Sequence, residues 1–370
     1  MEVWTWNPLR FGSLQSASSD VMDRTSPINE GNRAPAARWA AGCPARPAAP
    51  MGLRIGVISN PLSAGNRKGL QPVERMLAGY SRALHRLAVH PEQVKAVVSD
   101  FARHEVDLVV VNGGDGTTQA VLTALFTTEW PDQMPFLALL RAGGTSMIAR
   151  DVGLSGSRLQ GLSRLLGWAY TGRGAASLIK RPVLRLEWEK GGEPMYGMFF
   201  GAGGIYEGIK FCLTRVYTKG VGGELAAGLS LARFLLAAAR GDRRTVPPSP
   251  LRVGLEGTAM QDMDVLVLFV TTLRRLFLGM RPYWGTEGGP LHFTAIRSDA
   301  AHLLRAAPSL IRGQRSRWAS PRYGYLSHDL HDLRLYIKSG FTLDGQLYQS
   351  DPQLGAMWLR KGGEAEFLRL

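Results

Sequence analysis

Cysteine is nearly absent from this sequence of 370 residues. Only Cys43 and Cys212 occur, which excludes a disulfide framework or a zinc site of clustered thiolates and makes a reducing compartment the default. The run of about 18 apolar residues needed to cross a bilayer is missing too. The nearest stretch, Leu225 to Ala239, is interrupted by Arg233 and has the spacing of a partly buried amphipathic helix. No continuous apolar segment of the secretory kind stands near the N-terminus, so export is not expected. The G-x-x-x-x-G-K-[ST] pattern is absent, and no G-x-G-x-x-G follows a strand, which excludes the two commonest nucleotide motifs. The seven histidines show no metal-ligand spacing, and His328 and His331 beside Asp329 and Asp332 read as a polar loop. Acidic residues are also scarce. Against 44 Lys and Arg stand 30 Asp and Glu, a net charge of +14 that favours anionic phosphates of nucleotide, membrane or nucleic acid without choosing among them.

What is present divides the chain into three. Residues 1–50 mix Ser, Pro, Ala and Arg without apolar periodicity, so a disordered Ala/Pro/Arg-rich tail is expected there. Met51 directly precedes the first convincing strand, and the tail is expected to be either dispensable or untranslated in the natural protein. Peptides from before Met51 in the native protein would remove the second version. From 51 to about 177, apolar runs alternate with helical patterns. Leu53 to Ser59 leads through Asn60-Pro61 to a helical pattern from about Pro72 to Leu87. Val106 to Asn112 leads into helical spacing over Thr117 to Phe126, and Pro135 to Leu140 ends at Gly143-Gly144 before another helix start. Continuous apolar strands alternating with helices predict an α/β domain with a parallel sheet covered on both faces. Residues 178–370 change to alternating strands: Val183–Trp188, Met195–Phe200, Leu251–Glu256, Asp264–Thr272, Leu291–Ile296, Leu333–Lys338 and Phe341–Leu343. This pattern predicts a mainly antiparallel β-sandwich domain, with the helix over Leu225–Ala239 inserted.

The segment richest in chemistry is Asn112-Gly113-Gly114-Asp115-Gly116-Thr117, where a buried strand meets three glycines and then a helix. Gly113, Gly114 and Gly116 remove side chains where backbone N–H groups would approach phosphate oxygens, and the helix start adds its positive end. Bare carboxylate and phosphate repel, so Asp115 fits such a loop only through a cation, usually magnesium, or a bound water. The competing reading is a tight strand-to-helix turn capped by Thr117.

Gly113 to Thr117 resembles the glycine-aspartate-glycine signature of diacylglycerol kinases, bacterial lipid kinases and sphingosine and ceramide kinases, and more distantly of NAD kinases. Arg54 to Pro61, with Ser63, Gly65, Arg67 and Lys68 after it, is similar to the first strand and Asn-Pro turn of the diacylglycerol kinase domain, which places Asn60, Arg67 and Lys68 near the nucleotide phosphates. Gly143 to Arg150 is similar to the family's Gly-Thr-x-Asn-Asp-Leu-Ala-Arg in a register where the Thr falls on Gly144, the Asn on Ser146 and the Asp on Met147. Thr145 and Ser146 could still donate hydrogen bonds to nucleotide oxygens. Phe200 to Gly208, with Glu207, resembles the family's glycine-rich turn on the lipid-facing side. Gly288-Gly289-Pro290 looks like its later glycine turn. Phe341 to Gln346 resembles the C-terminal Asp-Gly-Glu, which makes Asp344 the implied general base, while Gln346 replaces the glutamate. Read without the family, Asp344-Gly345 is an ordinary hairpin turn.

The resemblance implies a two-domain, ATP- and magnesium-dependent lipid kinase that phosphorylates a diacylglycerol-like or related lipid hydroxyl. A nucleotide-binding domain would span 51–177 and a lipid-substrate domain 178–370. ATP would lie between Asn60, the Gly113–Thr117 loop and the Gly143–Thr145 loop, with Asp115 reaching metal through water. The expected setting is cytoplasmic and peripheral to an anionic membrane, each nearby basic residue adding about 1 kcal/mol. A homodimer is compatible with the reading, nucleic acid is not an expected partner, and the basic stretch Arg312 to Arg322 reads as a solvated or membrane-facing loop. Two alternatives stand beside it. One is an NAD kinase-like enzyme, whose Asn-Glu and Thr-Ala-Tyr segments are missing from the later half. The other is a catalytically weak nucleotide- or lipid-binding protein, motivated by Ser146, Met147 and Gln346.

Overall fold

The computed structural model describes residues 52–211 and 248–370. The expected tail, the inserted helix over Leu225–Ala239, and both cysteines lie outside the described residues.

Four buried or half-buried runs form a parallel sheet in the order β2-β1-β3-β4: β1 (Ile55–Ser59), β2 (Ala83–Leu87), β3 (Leu108–Gly113) and β4 (Phe136–Arg141). Helices cover both faces, as continuous apolar strands require. On one side pack α2 (Pro91–Arg103), α3 (Asp115–Thr127) and α4 (Met147–Val152), through residues such as Val98, Leu122 and Ile148. On the other pack α1 (Gln71–Ala78) and α5 (Arg158–Thr171), through Val73, Leu77, Leu162 and Leu165. Helix α2 starts at Pro91 with a capping box between His90 and Gln93, and buries Val94, Val98, Phe101 and Ala102 on one stripe. Helix α5 has its own box, Ser157 with Gln160, and ends on left-handed Gly172.

The helical pattern expected to continue to Leu87 stops at Ala78. After Gly79 the chain turns and pairs in parallel with β1 as β2, an edge strand whose residues are half-buried or exposed rather than buried.

The second half is largely antiparallel. Its strands are β5 (Ser177–Trp188), β6 (Met195–Gly197), β7 (Phe199–Gly203), β8 (Ser249–Leu255), β9 (Gln261–Thr271), β10 (Leu291–Arg297), β11 (Tyr325–Leu330), β12 (Asp332–Ile337), β13 (Gly340–Leu343), β14 (Gln346–Gln349) and β15 (Met357–Arg369). Between them lie α6 (Gly204–Phe211), which carries half-buried Glu207, and α7 (Leu303–Arg312). The strand expected over Met195–Phe200 is two strands. It breaks at Met198, so that β6 pairs with β5 while β7 pairs with β9 and β13. The polar loop expected at His328 is instead part of β11, with His328 against Glu287.

One sheet runs through both halves. Strand β15 pairs along β5 and then in parallel with β4 at Phe367 and Leu137, so its end completes the first core with Phe367 and Leu368. Among the described residues no helix is long and apolar enough to cross a membrane.

Candidate active site

A cleft of about 970 Å³ opens at the carboxyl ends of the parallel strands, the place where open α/β sheets bind ligands. Asn60 follows β1, Ala88 to His90 follow β2, and Gly114 follows β3. Gln346, Leu347 and Tyr348 of the β13–β14 hairpin face them from the second half.

Gly114 precedes α3 with extended backbone and makes no side-chain cap. The leading N–H groups of a helix have no partner within it, and those of α3 stand at the cleft, since Gly114, Gly116 and Thr117 line it. Close contacts surround the glycines, with backbone as the obstacle at Gly143. A Cβ on Gly113 would meet the Thr117 side chain, one on Gly116 would strike the Gln346 amide, and one on Gly143 would lie 2.7 Å from the Gly114 Cα. The loop is steadied from β1. Asn60 donates from Nδ2 to Thr117 Oγ1 (3.0 Å) and accepts from the Leu62 N–H (2.9 Å), while Asn66 Nδ2 donates to the carbonyls of Asn60 and Asn112. Beneath it Ser59 Oγ takes a hydrogen bond from Asn112 Nδ2 (2.9 Å) and meets His85 Nε2 at 2.8 Å. Burial lowers the pKa of that histidine, which favours neutral imidazole.

Asp115 does not reach into the cleft. Its carboxylate accepts from Thr145 Oγ1 and the N–H of Met147 (2.9 Å each), and from the N–H of Ile148 (2.9 Å). It therefore caps α4 from the first residue of α3 and ties the Gly113–Thr117 and Gly143–Ser146 segments together. Burial raises its pKa, against the pull of those donors. The carboxylate is thus engaged, and among the described residues no group of three or more His, Cys, Asp or Glu is placed to hold a metal.

The other expected site residues divide between the cleft and its surroundings. Gly143, Gly144 and Thr145 sit behind Gly114 and do not line the cleft. Ser146, at φ +46°, spends its hydroxyl on the Gly143 backbone. Arg67 and Lys68 are exposed on the turn after Asn66. A basic residue not foreseen from the sequence, Arg158 at the start of α5, holds Asn66 Oδ1 and the Gly69 carbonyl instead.

Asp344 shows why the hairpin and the site readings are compatible. Asp344 and Gly345, at φ +50° and +83°, form the two-residue loop between Leu343 and Gln346, a backbone that suits a type I′ hairpin. Yet the Asp344 side chain is buried. Its carboxylate accepts from the N–H groups of Met198 (3.0 Å) and Phe199 (2.8 Å), where β6 breaks into β7, and a Cβ on Gly197 would lie 2.5 Å from its Oδ2. Burial pushes its pKa well above the usual range, and the negative charge of Asp115 pushes the same way against the Met198 and Phe199 amides.

Helix α3 fixes the distance between loop and hairpin. Gln119 and Thr123 bond the Tyr196 backbone, the Tyr348 hydroxyl donates to Gln119 Oε1 (3.1 Å), and Phe126 stacks on Tyr196 with centroids 5.0 Å apart. These contacts had no signal in the sequence, because each pairs residues remote along the chain. The β2–α2 turn, Ala88 to His90, was missed because β2 itself was. Across the cleft mouth Lys95 meets Glu193 at 3.3 Å, an exposed pair.

Residues 54–170 match the diacylglycerol kinase catalytic domain family. That segment belongs to it. The kinase-family domain thus contains the whole parallel sheet and all five covering helices except the last residue of α5. A crystal structure of a diacylglycerol kinase from Bacillus anthracis str. Sterne covers 85% of this chain and 96% of its own at 13% identity, with a TM-score of 0.52. Two further structures from that organism, described provisionally as diacylglycerol kinases, are each 15% identical over 85% of this chain and cover 94% and 96% of their own, with TM-scores of 0.55 and 0.56. At these identities the likeness is one of fold, and it extends beyond the kinase-family domain into the second half. No curated protein matches the chain.

Gly143→Ala is expected to destabilise the protein by roughly 1–3 kcal/mol, because backbone rather than a flexible side chain blocks the methyl. Urea unfolding would read this, and an unchanged midpoint would show that the two loops are not in contact.

Proposed function

We propose that the chain is an ATP-dependent lipid kinase that transfers the γ-phosphate to the hydroxyl of a diacylglycerol-like or related lipid at an anionic membrane surface. The observation that carries this is the cleft itself, which the glycine-bordered start of α3 and Gln346 of the Asp344 hairpin line together. The leading amides of α3 would hold phosphate oxygens, with Asn60 keeping Thr117 in place. Magnesium would arrive with the nucleotide phosphates and supply charge neutralisation, as is usual for that ion. The lipid oxygen forms a bond to the γ-phosphorus as the bond to the bridging β–γ oxygen breaks, ADP departs, and the hydroxyl proton passes to a base. Asp344 is the base candidate. Burial raises its pKa, which makes the carboxylate a stronger base than a solvated one.

A second reading, a nucleotide- or lipid-binding protein of low turnover, is favoured by one observation: the Asp344 carboxylate is buried under the hairpin and does not line the cleft. Transfer of labelled γ-phosphate from ATP to diacylglycerol, sphingosine, ceramide and phosphatidylglycerol separates the two. Labelled lipid is the expected result. ATP binding without lipid product would establish the second reading.

A further inference from the structure

The connection from β9 to β10 and the segment from α7 to β11 form one face of the second half. The Arg281 N–H donates to the Ile311 carbonyl (3.0 Å), and a Cβ on left-handed Gly313 would lie 2.7 Å from the Tyr283 carbonyl oxygen. Residues 274–281 contain three arginines and residues 303–322 five more, all eight exposed, with no Asp or Glu in either segment. Helix α7 buries Leu303, Ala306 and Leu310 inward. Leu304 and Ile311, seven positions apart and so on one outer stripe, are 61% and 46% exposed, and Leu278 across the junction is 54% exposed. Arg305 and Arg312, each one position on from Leu304 and Ile311, flank that stripe.

We infer that this face docks onto an anionic lipid bilayer, with Leu278, Leu304 and Ile311 entering the acyl boundary and the surrounding arginines meeting lipid phosphates. The choice of a lipid surface rests on the kinase reading, but the docking is measurable without turnover. Basic residues around protruding apolar side chains are the combination that binds an interface. Single-stranded nucleic acid would share the charge but stacks its bases on free rings, and a duplex bound through its phosphates gives the protruding Leu278, Leu304 and Ile311 nothing apolar to meet. Here Arg305 and Arg317 lie 5.0 and 4.7 Å from the Trp318 ring centre, and Arg322 lies 5.8 Å from that of Tyr323. The position also suits delivery of a lipid. The 272–283 connection leaves β9 at Thr271, whose Oγ1 donates to the carbonyl of Met198 (2.8 Å), and the N–H of Met198 meets Asp344.

The experiment is sedimentation of the full chain with vesicles of phosphatidylcholine alone and of phosphatidylcholine with phosphatidylserine, alongside R312E/R315E and L304S/I311S. Wild type should prefer the anionic vesicles and lose binding as salt rises. R312E/R315E should weaken that binding by about tenfold or more. L304S/I311S should weaken it severalfold while keeping the salt dependence. These sites are exposed, and unchanged thermal midpoints would show that the fold is intact. Equal binding by wild type and both variants would overturn the inference, as would vesicle binding absent in wild type while a nucleic-acid duplex binds through the same arginines. If the face binds vesicles but no lipid is phosphorylated, the docking stands and the kinase reading falls.

Discussion

Asp344→Asn is expected to reduce lipid phosphorylation by about 10²–10⁴-fold while ATP affinity stays within about twofold, since the side chain lies outside the cleft that would hold the nucleotide. Asparagine keeps the shape of the turn and one acceptor for Met198 or Phe199, so the loss should fall on turnover rather than on KM for ATP. The same variant reports on stability. In the wild type the native state holds the Asp344 proton more tightly than the unfolded chain does, because burial raises the pKa above its ordinary 3.8. Stability is therefore full below the ordinary carboxylate value and falls as pH rises from there toward the folded pKa. Urea midpoints should fall as pH is raised above the ordinary carboxylate value of 3.8, and fall less in Asp344→Asn. A variant with wild-type turnover would remove Asp344 from the chemistry, and an unaltered pH slope would show that it is not a buried acid.

Asp115→Ala is expected to cost about 2–4 kcal/mol, because it strands the Thr145 hydroxyl and the N–H groups of Met147 and Ile148 at one stroke. The Gly143–Ser146 segment would then separate from Gly114, and ATP binding should weaken together with stability. Asp115→Asn should lie between, since an amide can accept from some of these donors but presents its own N–H to the others. Unfolding curves with an unchanged denaturant slope, paired with ATP titrations, test both changes. Loss of ATP binding at wild-type stability would instead show that Asp115 acts on the nucleotide or its metal and not as a brace.

The parallel core was legible in the sequence for a physical reason. Strands buried on both faces, such as Val109–Val111 and Leu137–Leu140, have no polar alternation to confuse them with anything else. Strand β2 sits at the sheet edge, reads Ala-Leu-His-Arg-Leu, and was absorbed into the preceding helical pattern. Strands β11 and β15 escaped because their partners, β10 and β5, lie elsewhere in the chain, and β15 carries Gly362 and Gly363 at a register shift, while β14 is a four-residue strand, Gln-Leu-Tyr-Gln, at the sheet edge. At the site, glycines could be read because close backbone approach admits little else, as Gly114 against Gly143 shows. The destination of a carboxylate could not. Asp115 and Asp344 look equally free in the sequence, yet one caps α4 and the other closes the break between β6 and β7.

The return of β15 to the parallel sheet bears on the order of folding. Leu137 of β4 pairs with Val109 on one side but gains its neighbour on the other only when Phe367 exists, so during synthesis the kinase-family domain emerges with one flank of its sheet open and the seats of Phe367 and Leu368 vacant. Long-range closure of this kind is slow and leaves an unpaired edge exposed while the ribosome works through the intervening strands. Nascent chains halted before Met357 should therefore be caught by chaperones or digested by protease, even though every segment of the kinase-family domain has already been made.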